Sequence, residues 1–153
     1  MGALEVTGPE VLVRLKRSEL SALFHDGSSS VPDGHGRGTL LVGSAGWVAR
    51  ATARLVYLLV WRGKLVDARA GRLENLITPL AIPAVAAQVY EDRSWYDGEV
   101  CVVLDYSKTS MMARWVRDEI REVGPGVFVG LVFVGQRLVL HFSLDFTGHR
   151  RAR

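Results

Sequence analysis

Ionisable side chains crowd into one stretch of this chain, LDYSKTSMMARWVRDEIREV, residues 104–123. Asp118 and Glu119 are candidates for proton transfer, Tyr106 for hydrogen-bond donation, and Asp105 for a polar role at a cavity mouth. Carboxyls and phenols do this work once an apolar wall or a neighbouring charge retunes them. Arg117 and Arg121 would hold a substrate carboxylate or enolate oxygen through the planar guanidinium. Trp115 and Met112 would supply apolar wall, and His141, on a later strand, a polar group against the ligand. Such a set suits isomerisation, cyclisation or elimination without a cofactor, steps that need positioning and one or two tuned groups.

Two local structures compete for this stretch. As a helix from Ser110, it puts Met112, Val116, Ile120 and Val123 on an apolar face. Arg114, Asp118 and Arg121 then form a solvated charge ladder at helical spacing, scaffold and nothing more. As a barrel strand, it puts Trp115, Arg117 and Glu119 on one face, which a barrel can turn inward. Asp105 has a plain alternative as well, capping the turn that follows it.

Other constellations carry less. His141, Ser143 and Asp145 are the residue types of a hydrolytic triad, but neighbours two apart on one strand stand about 6–7 Å apart, beyond hydrogen-bond reach. Cys101, within VCVVL, reads as a small buried hydrophobe. One cysteine and scattered histidines give no metal spacing and no internal disulfide, and no cofactor motif is found. GSAG and DGHGRG lack the Gly-Lys-Ser/Thr of a phosphate loop.

The elements that must position these groups can be read from periodicity and turn residues. Thr7-Gly-Pro-Glu10 opens a helix in which Leu12, Leu15, Leu20, Leu23 and Phe24 keep helical spacing, with a break near Ser18. Residues 26–38, rich in Gly, Ser and Asp, read as a loop, and 39–42 as a short strand. A second helix, with Trp47, Val48, Ala51, Leu55, Leu58 and Leu59 on one face, should stop near Gly63. Two hairpins follow, turning at RAGR and at SWYDG. After the GPG break, VFVGLVFV and RLVLHFSLDF pair through Gly135-Gln136. In the last strand Leu138, Leu140, Phe142, Leu144 and Phe146 share one face and Val139, His141, Ser143 and Asp145 the other. About seven strands joined by short turns predict an antiparallel sheet that rolls into a barrel, with two or three helices; the class is α+β.

Several motifs, in order, support that topology: GRGTLLVG, WRGK, Asn75, SWYDG, VLDYSKTS, RDEIREVGPG and FVGLVFV. Together they resemble the lipocalin-like (calycin-like) barrel proteins of bacteria. WRGK is similar to the Gly-x-Trp-x-Gly-Lys motif of one such group, with Leu59 in place of its first Gly. The resemblance implies a barrel around an interior cavity that holds a hydrophobic small molecule. It implies no particular activity.

Composition sets the outer bounds. Hydrophobic residues are 48% and charged residues 23% of 153, those of a folded protein long enough for a core. The net charge of +3 equals the contribution of Arg150, Arg151 and Arg153, so the body is balanced and offers no basic face to nucleic acid. Residues 1–148 are expected as a single small-molecule-binding domain and 149–153 as a basic tail. The first ten residues lack the pattern of a secretory leader, and Arg50 and Arg54 interrupt the longest apolar stretch, so no membrane span is expected. The lone cysteine suits a reducing cytoplasm. An exposed edge strand would favour a homodimer. Two rivals to the enzyme stand beside it: a non-catalytic carrier or sensor of lipid-like ligands, and a structural or interaction protein with no cavity.

Overall fold

The computed structural model describes residues 8–41, 63–76, 86–105, 107 and 115–148. Pro9 occupies the first position of α1 (Pro9–Leu12), where its missing N–H would have no helical partner anyway. The chain breaks at Val13–Lys16, earlier than the spacing predicts, and restarts as α2 (Arg17–Asp26). The Lys16 backbone N–H donates to the Glu19 carboxylate at 2.7 Å, which satisfies one donor at the α2 start. Leu12, Leu20 and Phe24 are fully buried, so both helices are held by their apolar side.

Eight antiparallel strands follow: β1 (Gly34–Leu41), β2 (Gly63–Asp67), β3 (Arg72–Leu76), β4 (Ala86–Arg93), β5 (Val100–Asp105), β6 (Val116–Gly124), β7 (Val127–Val134) and β8 (Arg137–Asp145). Each pairs with the next, and β1 pairs with β8, so the sheet closes into a barrel. The expected α+β class with an antiparallel barrel-like sheet is observed. Closure pairs the edge on which the homodimer expectation rested.

Several elements differ from the sequence expectation for identifiable reasons. β1 begins at Gly34, inside the expected loop, because Gly36 marks close packing there: a Cβ on it would overlap the Phe146 ring. Gly63, expected as a helix stop, begins β2, and the helix expected before it lies outside the described residues. In β8 a register shift opposite Val132 and Phe133 leaves Val139 unpaired and turns Leu138 to the face of His141. The β7–β8 turn has positive φ at both Gly135 (53°) and Gln136 (75°), the twist that a two-residue hairpin needs.

Residues 116–124 are strand, so the helix alternative for this stretch fails there. Cross-strand partners explain why: Val102, Leu104, Gly130 and Val132 flank Ile120 and Asp118 directly, and tertiary pairing outweighs the helical spacing of the charges.

The closed sheet separates two cores. The inner one joins strand residues Val66, Ala87, Val102, Leu104, Ile120, Phe128, Phe142 and Leu144 to Phe146, just beyond the end of β8. The outer one joins Leu12, Leu20 and Phe24 of the helices to Leu41, Cys101, Val103, Val129, Leu131 and Phe133. The two barrel ends also differ. Short connections after β2, β4 and β6 lie at one end, whereas the longer connections 42–62, 77–85 and 106–115 start and finish at the other. The inner wall is graded along the same axis. Phe128 and Phe146 meet edge to face at 5.5 Å at the short-turn end, and the Phe142 ring fills the space over Gly130. Toward the long-connection end the wall passes to Val89, Leu104, Val116 and Val132.

Candidate functional site

β6 decides the site, because alternate residues of a strand face opposite ways. Arg117 and Glu119 do share a face, as the strand alternative expects, and Arg121 shares it too, but that face is the outer one. Their cross-strand partners Phe133, Leu131 and Val129 belong to the core under the helices. Asp118 faces inward, paired with Leu104 on one side and Val132 on the other.

The outer groups form a saturated network around the β4–β5 turn. Arg121, 1% exposed, donates to both Asp97 carboxylate oxygens at 2.6 and 2.8 Å. It also donates to the backbone carbonyls of Phe24 (3.0 Å) and Val100 (3.1 Å), and lies 4.4 Å from the Phe24 ring centre. This bidentate pair holds Asp97 well below the usual carboxylate range against the opposing effect of burial, and raises Arg121 in turn. His25 Nδ1 also lies 2.8 Å from Asp97, tying the last turn of α2 to the same turn.

Glu119 is fully buried and accepts three hydrogen bonds: from Ser94 Oγ (2.6 Å), the Trp95 backbone N–H (2.8 Å) and Arg117 Nε (3.0 Å). Arg117 spans outward to the Arg93 carbonyl (2.9 Å) and stacks 4.5 Å from the Trp95 ring centre. The chemistry of this network is to fasten the SWYDG turn and α2 to the barrel wall. A buried ion pair of this kind needs every partner, since removing one leaves an uncompensated charge.

The remaining candidates scatter. Asp105 lies at the end of β5 beside Arg117 and accepts from Tyr90 Oη and the Ser107 backbone N–H, both at 2.8 Å. It therefore caps its turn, the plainer of its two readings. Burial alone would push its carboxyl up, but the Ser107 and Tyr90 hydrogen bonds leave it below the usual value. Burial, with the Asp105 hydrogen bond, pushes Tyr90 up to about 12. Trp115 is 61% exposed at the start of β6, away from the inner wall. His141 is buried on the outer face, with Nε2 2.9 Å from Ser21 Oγ of α2. Burial first, then Arg17, pushes its imidazole down to about 4. His141 Nδ1 and Ser143 Oγ find no partner among the described residues. Tyr106 and Met112 lie outside the described residues. Burial pushes the Cys101 thiol up to about 12, which suits the inert role expected of it.

Sequence reasoning missed Asp97, Ser94 and His25. Asp97 reads as an ordinary hairpin-turn residue before Gly98, whose φ is 74°. The available signal was Arg121, a cation two residues from Glu119 in a strand whose face is otherwise buried. Among the described residues, no group of three or more His, Cys, Asp or Glu could hold a metal ion. No helix among them is long and apolar enough to cross a membrane.

No family model and no curated protein matches the chain. Among solved structures, a crystal structure of a protein from Thermomonospora curvata is similar in fold. It has a TM-score of 0.63 and 21% identity, and the match covers 86% of this chain and 88% of that one. At that identity the likeness establishes the barrel fold, which the two chains share over most of their lengths.

Proposed function

We propose that the protein binds an apolar small molecule inside the barrel, entering from the end opposite the β2–β3, β4–β5 and β6–β7 turns. The observation that carries this reading is the graded inner wall. Aromatic rings pack one end of it, and smaller aliphatic side chains, with Asp118 among them, line it toward the other. Ligand sites of this kind combine a mostly apolar lining with few polar groups that fix orientation. If the barrel also moves a proton on its ligand, Asp118 is the residue for it. Glu119, Arg117 and Arg121 face the other way and are spent on structure. A cytoplasmic location, consistent with a lone reduced Cys101, belongs to the same proposal.

Nile red, a neutral apolar dye, tests it. Saturable fluorescence enhancement at one site is expected, and Val116→Trp, which narrows the wall beyond Asp118, should abolish it without unfolding the protein. Enhancement that never saturates, or that survives Val116→Trp unchanged, overturns the reading.

A further inference from the structure

We infer that the barrel accepts only short apolar ligands, an unbranched chain of about eight carbons or a body of similar length, and that Phe142 sets this limit. The inference rests on the barrel-binding reading above and deepens it by giving the ligand a size. It concerns length alone, so it does not depend on the polar residues of the inner face, Asp118 and, by register, Lys64.

The short-turn end is closed twice. Inside, aromatic rings spread over neighbouring strands. Phe142 of β8 stands opposite Gly130 of β7, and its ring occupies the place that a Cβ there would take. Phe146, just beyond β8, lies against Gly36 of β1 in the same way. Both glycines let a ring approach the backbone of the next strand, which any side chain would prevent. Phe128 of β7 meets Phe146 edge to face, and all three rings are buried, so with Leu144 they make a floor.

Outside, the segment between α2 and β1 crosses the same end. Ser28 exchanges two backbone hydrogen bonds with Glu122 near the end of β6, both 2.9 Å. Ser29 Oγ donates to Glu91 of β4 at 2.8 Å, and Asp33 accepts from the Ala68 N–H of the β2–β3 turn at 3.1 Å. These anchors lie on separate strands round the ring, so the segment spans the opening, and Pro32 within it is buried.

The floor fixes the depth. Gly130, covered by the Phe142 ring, pairs on its other side with Ile120. Above that level the inner side of β6 runs from Ile120 to Val116, a separation of four residues. At ~3.3 Å per residue and a tilt of about 40° this is roughly 10 Å along the axis, the length of an eight-carbon chain. A longer chain leaves its remaining carbons in water at the mouth, where methylenes add nothing to affinity.

Straight-chain alcohols from hexanol to decanol, as competitors of Nile red, provide the test; the rigid dye is longer than this depth and would be held with one end at the mouth. Each added methylene should lower the displacing concentration about fourfold up to octanol, the factor for burying one CH2. From octanol to decanol the change should be less than about twofold in all, where continued burial would give about sixteenfold. Phe142→Ala, which opens the floor, should restore a gain of at least about fourfold between octanol and decanol. Phe142→Leu, a milder truncation, should shift the limit in the same direction should the first not fold. Val129→Ala, which removes volume on the outer face, should leave the limit where it is. Displacement that improves about fourfold per methylene through to decanol in the wild type overturns the inference while Nile red binding still stands, as does a limit unmoved in both Phe142 variants. Absence of saturable Nile red binding overturns both this inference and the reading beneath it.

Discussion

The two faces of β6 carry charges a single residue apart and use them in opposite ways. On the outer face Arg117, Glu119 and Arg121 lie under Trp95 and Phe24, and their hydrogen bonds converge on the β4–β5 turn and α2. On the inner face Asp118 stands between Leu104 and Val132 of the neighbouring strands. A high density of ionisable groups on the outer face therefore marks a fastening. A side chain whose donors and acceptors are consumed by the fold has little left for a ligand.

Breaking the outer network should have the largest effect. Arg121→Ala removes the partner of Asp97 and of two buried carbonyls, and should cost about 3–5 kcal/mol in urea unfolding, the range for breaking a buried ion pair. Arg121→Lys should recover only part of that, because a point charge cannot reproduce the bidentate fork. A cost below about 1 kcal/mol, typical of exposed ion pairs, would mean that the outer face is not the fastening described.

Acid should weaken the same face next. The fold holds His141 at about 4, below its ordinary 6.5, so it favours the neutral ring. Between those values the unfolded chain binds more protons than the native one. The stabilisation is complete above pH 6.5 and is lost as pH falls through 4. Because His141 is 1% exposed, the loss should approach about 3 kcal/mol at the acid end. Urea midpoints measured from pH 7 downward should show that slope, and His141→Asn should flatten it. The depressed Asp97 adds its own loss only below its ordinary value of 3.8, outside this window.

A smaller effect should come from the inner face. Gly130→Ala places a methyl into the Phe142 ring and should cost about 1–3 kcal/mol by overpacking. Thermal denaturation that leaves the variant as stable as the wild type would show slack at the packed end of the barrel, and would weaken the gradient that separates the two ends.

Much of the fold was legible because it is written in local patterns. SWYDG and Gly135-Gln136 name their own turns, and the alternation of β8 is visible up to the bulge at Val139. The site was less legible because the deciding facts are long-range. Helical and strand spacing both accommodate residues 116–123, and only pairing with Leu104 and Val132 separates them. Even as a strand, β6 could present either set of charges inward. Its direction is set by the helices, which cover Val129, Leu131 and Phe133, residues that in sequence alternate with no polar signal at all. The β1 start was misread for a related reason: Gly36 looks like loop composition until Phe146, 110 residues later, is seen against it.

The docking of α2 also constrains how the protein is made. Ser21 and His141 are 120 residues apart, and Arg121 reaches the Phe24 carbonyl across 97. Helices α1 and α2 thus wait for strands synthesised well after them, and ring closure between β1 and β8 waits as well. Such sequence separation slows folding, since chain must be ordered before the contacts that reward it exist. During that interval Leu12, Leu20 and Phe24 are an uncovered apolar stripe, so α1 and α2 are where a chaperone would be expected to engage the nascent chain.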